Sequence, residues 1–404
     1  MIRIGHTIRH LLIIIMITSI FIPLSVMYGR YKPFSKVFHV FNQKDDTPKL
    51  ARRLNSERLM KAKHYLGSLK ETILPYYSTT PSIVIVIVTV KRTAYDSSNL
   101  GYVLQTVAAT HKLFVNDKAF PNKTMMICNV DLYPKNYTDV VSLKPYIPVV
   151  ERYGVSSRIS ININKTRQTL YKNRYYSSKY DKETIDYMYC LEAAYSLGAK
   201  YVLLMEDDSI PMEPALDVLL NKIQYLDTKQ DGQHYAYIKL YYPQRWQGYA
   251  YDVSRIIEII SIGCVGAGMV VFLHFILCKS RLYYVQVAYF LCGAWLFVLG
   301  AMIIGRQNVF EFYRISKYLY TLKSSPGCCT QAMLYTRQFI PPIIEFLSAK
   351  HKNLHTDLAI YNFTNVTGVR AYQIEPNLFY HVGMYTSLTT NKHKNAEEFI
   401  FHAM

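Results

Sequence analysis

The sequence has few acidic residues, no CxxC cysteine pair and no internal repeat. Asp and Glu number 28 against 46 Lys and Arg, so the formal net charge of the 404-residue chain is +18. Without CxxC pairs the sequence does not predict a structural zinc site, and no segment resembles a nucleic-acid-binding module. The positive charge therefore favours anionic partners such as lipid headgroups, phosphates or a nucleotide diphosphate.

Three long apolar runs are present, and two of them form a hairpin in the middle of the chain. The first covers residues 11–28, and the hairpin covers 256–278 and 282–305. Each is long enough to cross a bilayer. Because the segment Pro23–Met27 is a poor cleavage site, we expect residues 1–28 to be a cytosolic tail with an uncleaved signal anchor; a cleaved signal peptide is the alternative.

The basic turn of the hairpin, with Lys279 and Arg281, indicates the orientation. Positively charged loops face the cytosol, so we expect a cytosolic N-terminus and a lumenal bulk, although Arg30, Lys32 and Lys36 give the opposite signal. Glycosylation sequons agree with a lumenal bulk, although such triplets also arise by chance. They begin at Asn122, Asn136, Asn164, Asn362 and Asn365.

Outside the spans the chain is long enough for one large catalytic domain. We predict a lumenal stem over residues 29–80, with a helix from about 49 to 74, and a domain in two parts, 81–255 and 306–404, separated by the hairpin at 256–305. Four cysteines of the lumenal part could form disulfides, but the sequence does not determine their pairing. They are Cys128, Cys190, Cys328 and Cys329.

The domain begins with Ser82–Val90, a run of β-branched residues typical of a central parallel strand buried on both faces. Helices are predicted at about 98–113 and 182–197, and further strands at 125–130 and 200–205. This alternation predicts an α/β domain with a Rossmann-like nucleotide-binding sheet. Ligands of such sheets bind at the carboxyl ends of the strands.

The most informative of these strand ends is the acidic trio Glu206-Asp207-Asp208. In an extended segment Glu206 and Asp208 would share one face, with Asp207 on the other. Two carboxylates at a strand tip can hold a divalent cation that bridges two phosphates. Otherwise they repel each other unless a basic residue compensates. By itself, such a trio is more often a solvated loop.

A second candidate segment near the C-terminus contains His381 and Gly383. The glycine would allow a close approach of the backbone. An imidazole with carboxylate and phosphate oxygens is a ligand set suited to manganese. A single histidine is, however, more often a packed core or surface residue.

Four motifs together resemble the Golgi GPI-anchor N-acetylgalactosamine transferase family, and more distantly the N-glycan GlcNAc-transferase IV family, which lacks the hairpin. They are MEDDSIP, IKLYYPQRWQGYA, SPGCCTQAMLY and NLFYHVGMYTSL. The resemblance implies a GT-A glycosyltransferase domain split by two transmembrane helices and located in the Golgi membrane. It also implies UDP-GalNAc as donor, Mn²⁺ as cofactor, and the first mannose of the GPI glycan on GPI-anchored proteins as acceptor.

The resemblance further implies roles for individual residues. Glu206, Asp207 and Asp208 would form the DxD-type motif, with Asp208 and Glu206 on the metal and Asp207 on the donor; Glu206 also counts as a catalytic residue. His381 would be a further metal ligand. Four residues would lie near the nucleotide. They are Val90, Lys91, Arg92 and Asp131.

Formation of a β-linkage from an α-linked donor inverts the anomeric carbon and needs a carboxylate as general base. By analogy with the family's Asp before an apolar stretch, the resemblance implies Asp357 as this base, with Glu345 and Glu375 as competitors. A helix N-cap is the alternative role for Asp357. Aromatic and basic side chains could bind the acceptor glycan. They are Tyr242, Arg245 and Trp246.

Three alternatives remain. The chain could act on N-glycans of proteins, which the hairpin disfavours because these acceptors stand away from the membrane. It could be a catalytically inactive GPI-binding or sorting protein. It could also be a small polytopic transporter, but three spans without a charged intramembrane pathway argue against this.

Overall fold

The computed structural model describes residues 2–42, 46–69, 80–92, 100–156, 159–229, 234–278, 283–350, 354–385 and 396–402. The chain divides into two compact units. The membrane unit comprises Met1–Leu50, Pro243–Phe312 and Ile400–Met404. The sheet unit comprises Ala51–Tyr242 and Tyr313–Phe399. The sheet unit is therefore built from chain on both sides of the hairpin.

The described α-helices and strands alternate along most of the chain. The helices are α1 (Ile2–Gly29), α2 (Phe38–Phe41), α3 (Asp46–Ser68), α4 (Tyr102–Asn116), α5 (Thr138–Leu143), α6 (Gln168–Lys172), α7 (Lys179–Tyr195), α8 (Ala215–Thr228), α9 (Ser254–Cys278), α10 (Tyr283–Ile304), α11 (Arg306–Phe310), α12 (Ile340–Lys350), α13 (Thr356–Thr367) and α14 (Glu397–Ile400). The strands are β1 (Ile83–Thr89), β2 (Lys123–Asn129), β3 (Val149–Glu151), β4 (Tyr201–Glu206), β5 (Ser209–Pro211), β6 (Tyr235–Lys239), β7 (Thr321–Ser324), β8 (Ala332–Thr336), β9 (Arg370–Glu375) and β10 (Phe379–His381).

Eight strands form one mixed sheet in the order β3-β2-β1-β4-β8-β6-β9-β7. β1 is parallel to β2 and β4, and β6 is parallel to β9. β8 follows the hairpin in sequence but lies antiparallel between β4 and β6, which both precede it. The chain therefore completes its sheet only after the excursion through the hairpin. The prediction of an α/β domain with an inserted hairpin is confirmed.

β1 is buried on both faces, as its sequence predicts. Its isoleucines pack with α3, α4 and α8 in one core, and its valines Val84 and Val86 pack with α7, α12 and α13 in another. Because side chains alternate along a strand, a continuous β-branched run supplies both cores. Two predicted helix ends, Ser98 and Leu74, lie outside the described residues, as does the hairpin turn at 279–281.

The membrane unit contains three helices with the length and composition to cross a bilayer, α1, α9 and α10. α9 and α10 approach closely at small residues: a Cβ on Gly293 would lie 3.0 Å from the Cα of Ala267. Arg306 is only 1 % exposed and donates from Nε and Nη2 to the carboxylate of Glu258 at 2.6 and 2.9 Å. Since a buried charge must be paired, this contact fixes the end of α10 to the first turns of α9.

Both cysteine pairs of the sheet unit form disulfides. Cys128 on β2 bonds Cys190 on α7, and the neighbours Cys328 and Cys329 bond each other. All five sequon asparagines are exposed, as glycosylation requires.

Replacement of Cys128 and Cys190 by Ala should lower the free energy of unfolding by about 4 kcal/mol, the loop-closure entropy for a separation of 62 residues. Thermal unfolding of the purified full chain in detergent measures this effect. A Cys264→Ala variant is the control, because Cys264 is a free, exposed cysteine. Equal unfolding temperatures for the double variant and the control would contradict the expectation.

Candidate active site

The acidic trio lies at the carboxyl ends of the parallel strands. β4 ends at Glu206, and Asp207 and Asp208 form the turn before β5. The sequence predicts that Glu206 and Asp208 share a face, and this is wrong. Asp207 and Asp208 instead share one partner, Arg92, whereas Glu206 accepts a hydrogen bond from Thr330. The alternation of an extended strand no longer holds once the backbone turns after Glu206.

Arg92 is the centre of this group. Its Nη1 lies 2.6 Å from Asp207 Oδ1 and its Nη2 lies 2.8 Å from Asp208 Oδ2. Its Nε donates to the carbonyl of Tyr385 at 3.2 Å, and its guanidinium lies 4.9 Å from the centre of the Tyr102 ring. The guanidinium thus compensates the repulsion between two buried carboxylates.

Asp207 is fixed by the strand and helix beside it. The hydroxyl of Thr89, the last residue of β1, donates to Asp207 Oδ2 at 2.6 Å, and Thr106 on α4 donates to the Asp207 carbonyl at 2.7 Å. Burial raises the pKa of Asp207, and Arg92 opposes part of this shift. The carboxylate therefore has one orientation.

His381 reaches the group through a two-stranded sheet. β10 pairs antiparallel with β5, which places His381 opposite Ser209. His381 Nε2 lies 3.2 Å from Asp208 Oδ2, and the Val382 amide donates to the Asp208 carbonyl at 2.8 Å. A Cβ on Gly383 would lie 1.9 Å from Asp208 Oδ2. Only glycine permits this approach of the backbone to the carboxylate, as the sequence predicts.

The other residues predicted to contact the nucleotide also lie at this edge of the sheet. Asp131 follows β2 and accepts backbone N–H bonds from Lys91 at 3.0 Å and Tyr133 at 2.8 Å. Lys91 Nζ donates to the Asn136 carbonyl, and Val90 is half-buried. Asp131 thus connects the ends of β1 and β2.

A second group of carboxylates contains Glu206, Asp357 and Glu183. Glu183 lies on α7 and was not selected from the sequence. Burial, together with repulsion from Glu206 and Asp357, raises the pKa of Glu183 to about 8. Its Oε2 lies 3.6 Å from Nδ1 of His355. Glu206 thus contributes to the charge around Glu183, whereas Asp207 and Asp208 share Arg92.

Asp357 lies in the first turn of α13, with both oxygens oriented by the backbone. Oδ2 accepts from the Cys329 amide at 2.8 Å, and Oδ1 accepts from the Leu358 amide at 2.7 Å. His355 and not Asp357 is the N-cap residue. The competitors lie elsewhere: Glu345 is exposed on α12, and Glu375 pairs with Lys323 at 3.2 Å.

The predicted acceptor-binding residues belong to different units. Tyr242, in the sheet unit, donates its amide to Asn377 Oδ1 at 3.0 Å. Arg245 and Trp246 lie in the membrane unit on a short 3-10 helix, with the Arg245 guanidinium 4.4 Å from the Trp246 ring centre. Their role in acceptor binding stays a prediction.

The predicted metal ligands are only partly brought together. Asp208 and His381 are adjacent, with Asp207 alongside, and their oxygen and imidazole donors suit Mn²⁺. The role of Glu206 as a metal ligand stays a prediction. Among the His, Cys, Asp and Glu side chains that the structure describes, one group of three has its ligand atoms within 4.8 Å of one another. It consists of Cys328, Cys329 and Asp357. A disulfide offers no thiolate, so that group does not predict a metal site.

Comparison with known proteins decides the family. The family model described as GPI-N-acetylgalactosamine transferase PGAP4 matches residues 83–380, well over half of the 404 residues. The chain belongs to this family. The family predicted from the motifs is confirmed, and membership makes the protein a membrane-bound transferase of GalNAc acting on the GPI glycan.

Among solved structures, a crystal structure of a mycobacterial protein is similar at 12 % sequence identity and a TM-score of 0.33. The similarity covers 76 % of this chain and 72 % of that chain.

Sequence reasoning missed Glu183 and Lys239. Lys239 is a single charged residue at the end of the apolar strand β6, and it is 1 % exposed. Its position in an apolar strand could have identified it from the sequence, because a lysine in a buried strand needs a specific partner. Glu183 lies one turn into α7 and offers no comparable signal, because acidic residues are ordinary near helix N-termini.

Gly383→Ala should abolish most of the transferase activity, because the new methyl group would displace the Asp208 carboxylate. We expect a fall of roughly 100-fold, the loss typical of a misplaced catalytic group. Steady-state transfer assays measure it. Gly67→Ala on α3 is the matched control, since a Cβ there has no atom within 4 Å. If the activity of G383A were within twofold of that of G67A, the close approach of the Gly383 backbone to the Asp208 carboxylate would not be needed for transfer.

Glu183 should make stability depend on pH. Its pKa rises from 4.5 in the unfolded chain to about 8 in the folded protein, so its contribution is present below pH 4.5 and is lost as pH rises towards 8. Wild type should therefore lose stability relative to Glu183→Gln between pH 5 and pH 8, by on the order of 1–2 kcal/mol. Thermal unfolding of both proteins at the two pH values measures this difference. Exposed Glu345→Gln is the control, and a constant difference between wild type and E183Q would contradict the assignment.

Proposed function

We propose that the protein transfers GalNAc from UDP-GalNAc to the first mannose of the GPI glycan, with inversion and with Mn²⁺, in the Golgi lumen. The observation that carries the proposal is the buried group of Arg92, Asp207, Asp208 and His381 at the carboxyl edge of parallel strands. Nucleotides bind at this edge in open α/β sheets. The family match supports the sugar and the acceptor.

The donor diphosphate would bind beside Asp208. Asp208 and His381 would hold Mn²⁺, and this cation would neutralise charge on the leaving diphosphate. Arg92 keeps the Asp207 and Asp208 carboxylates together at 2.6 and 2.8 Å, and Gly383 has no Cβ that would collide with Asp208. Arg92 thus prepares the site by fixing both carboxylates before the donor binds.

Asp357 would act as the general base. The Cys329 and Leu358 amides orient its two oxygens but use only one lone pair on each. A remaining lone pair would take the proton of the mannose hydroxyl while that oxygen forms a bond to the anomeric carbon and the bond to UDP breaks. Direct attack inverts the anomeric centre.

The hairpin supports a lipid-linked acceptor. A GPI glycan is held at the bilayer by its lipid, and the two spans interrupt the chain of the sheet unit itself. Attachment of enzyme and acceptor to one membrane raises their effective concentration. The exposed sequon asparagines support a lumenal sheet unit.

Asp208→Asn should lower transfer roughly 100- to 1000-fold, as expected when one electrostatic stabiliser of a transition state is removed. We would measure transfer of labelled GalNAc from UDP-GalNAc to a mannose-bearing GPI acceptor, with Mn²⁺ present or chelated. Mn²⁺ affinity by calorimetry gives an independent readout. The matched control is Asp217→Asn, because Asp217 is half-exposed on α8.

The outcomes separate the candidate functions. Transfer that requires both Mn²⁺ and Asp208 supports the proposal. Transfer only to N-glycans would move the protein to the alternative acceptor class. UDP binding that survives chelation, without any transfer, would instead favour an inactive GPI-binding or sorting protein.

A further inference from the structure

The loop of residues 325–330, which contains the Cys328–Cys329 disulfide, accepts hydrogen bonds from one buried lysine. Lys239 ends β6, and its Nζ donates to the Pro326 carbonyl at 2.7 Å and to the Cys328 carbonyl. The lysine is 1 % exposed, and burial lowers its pKa to about 7 while Asp357 opposes the shift. Both described contacts of this ammonium group are thus with the backbone of a single loop.

The same loop contacts two of the clustered carboxylates. The Cys329 amide donates to Asp357 Oδ2 at 2.8 Å, and the Thr330 hydroxyl donates to Glu206 Oε1 at 2.9 Å. Any displacement of the loop therefore moves a hydrogen-bond donor of each carboxylate. Through these hydrogen bonds the loop links Lys239, at the end of β6, to the Asp357 and Glu206 carboxylates.

The backbone of this loop needs support. Cys329 has φ +76°, in the left-handed region that favours glycine, and a non-glycine residue there costs on the order of 1 kcal/mol. A Cβ on Gly327 would lie 2.9 Å from the Tyr361 ring, so α13 limits the loop on its other side. The conformation is thus held by Lys239, by the disulfide and by α13 together.

We propose that Lys239 is a positioning residue for sugar transfer: it fixes the 325–330 loop, and the loop fixes the carboxylates of Asp357 and Glu206. The proposal rests on the proposed function, in which Asp357 is the base. Lys239 touches neither the Asp207–Asp208 group nor the nucleotide edge at Arg92 in the contacts described. Its loss should therefore impair the chemical step and leave donor binding intact.

Lys239→Met keeps an unbranched side chain, one atom shorter, and removes its donors. In the full chain in lipid nanodiscs, kcat should fall about 10- to 100-fold, the loss expected for a misplaced catalytic group. KM for UDP-GalNAc should stay within twofold. Hydrogen exchange of the Cys329 and Leu358 amides should become faster. The matched control is Lys222→Met, because Lys222 is another buried lysine, on α8, 8 % exposed.

If K239M does not accumulate as folded protein, Cys328→Ala/Cys329→Ala tests the same connection from the loop side and should show the same split between kcat and KM. The proposal is overturned if kcat stays within twofold of wild type, or if KM for the donor rises as much as kcat falls. If wild type itself shows no transfer, the proposed function has failed. In that case hydrogen exchange is the remaining test of the contact between Lys239 and the loop. Unchanged exchange of the Cys329 and Leu358 amides in K239M would show that Lys239 does not fix the loop.

Discussion

The structure depends on β8, which pairs with β4 on one side and β6 on the other although the hairpin separates it from both in sequence. Backbone groups on both sides of β8 must be satisfied, so the sheet is incomplete until the chain has returned from the two spans. The contacts of Glu206 and Lys239 at the carboxyl edge follow from this. β4 brings Glu206 to that edge, β6 brings Lys239, and the loop before β8 runs between them.

Charge is distributed unequally at this edge. Asp207 and Asp208 share the guanidinium of Arg92, which compensates both. Elsewhere at this edge, burial together with repulsion from Glu206 and Asp357 raises the pKa of Glu183 to about 8. Different environments for similar side chains allow different chemical roles in one site. In the proposed mechanism the first group receives the donor and the second contains the base.

The hairpin of the membrane unit has its own internal contacts. The buried Arg306–Glu258 pair holds the end of α10 against α9, and close packing at Gly293 keeps the two helices together. The hairpin interrupts the chain of the sheet unit, so the sheet unit is covalently attached to two candidate membrane spans. This agrees with a transferase family whose acceptor is the GPI glycan.

The sequence by itself determined the elements that depend on local pattern. The β-branched run at Ile83–Thr89 specified a strand buried on both faces, and the apolar runs specified the spans, because side-chain periodicity and length suffice for both. The resemblance to the transferase family predicted His381 beside the acidic segment, and Gly383 predicted a close approach of the backbone.

Only the tertiary structure decided how side chains from distant segments pair. The pairing of Cys128 with Cys190, the clamp of Arg92 on Asp207 and Asp208, and the contact of Lys239 with the 325–330 loop join segments far apart in sequence. Asp207 and Asp208 share Arg92 while Glu206 contacts Thr330, because the backbone turns where the strand ends. Such contacts depend on where folded strands and loops meet in space, and no local pattern encodes that.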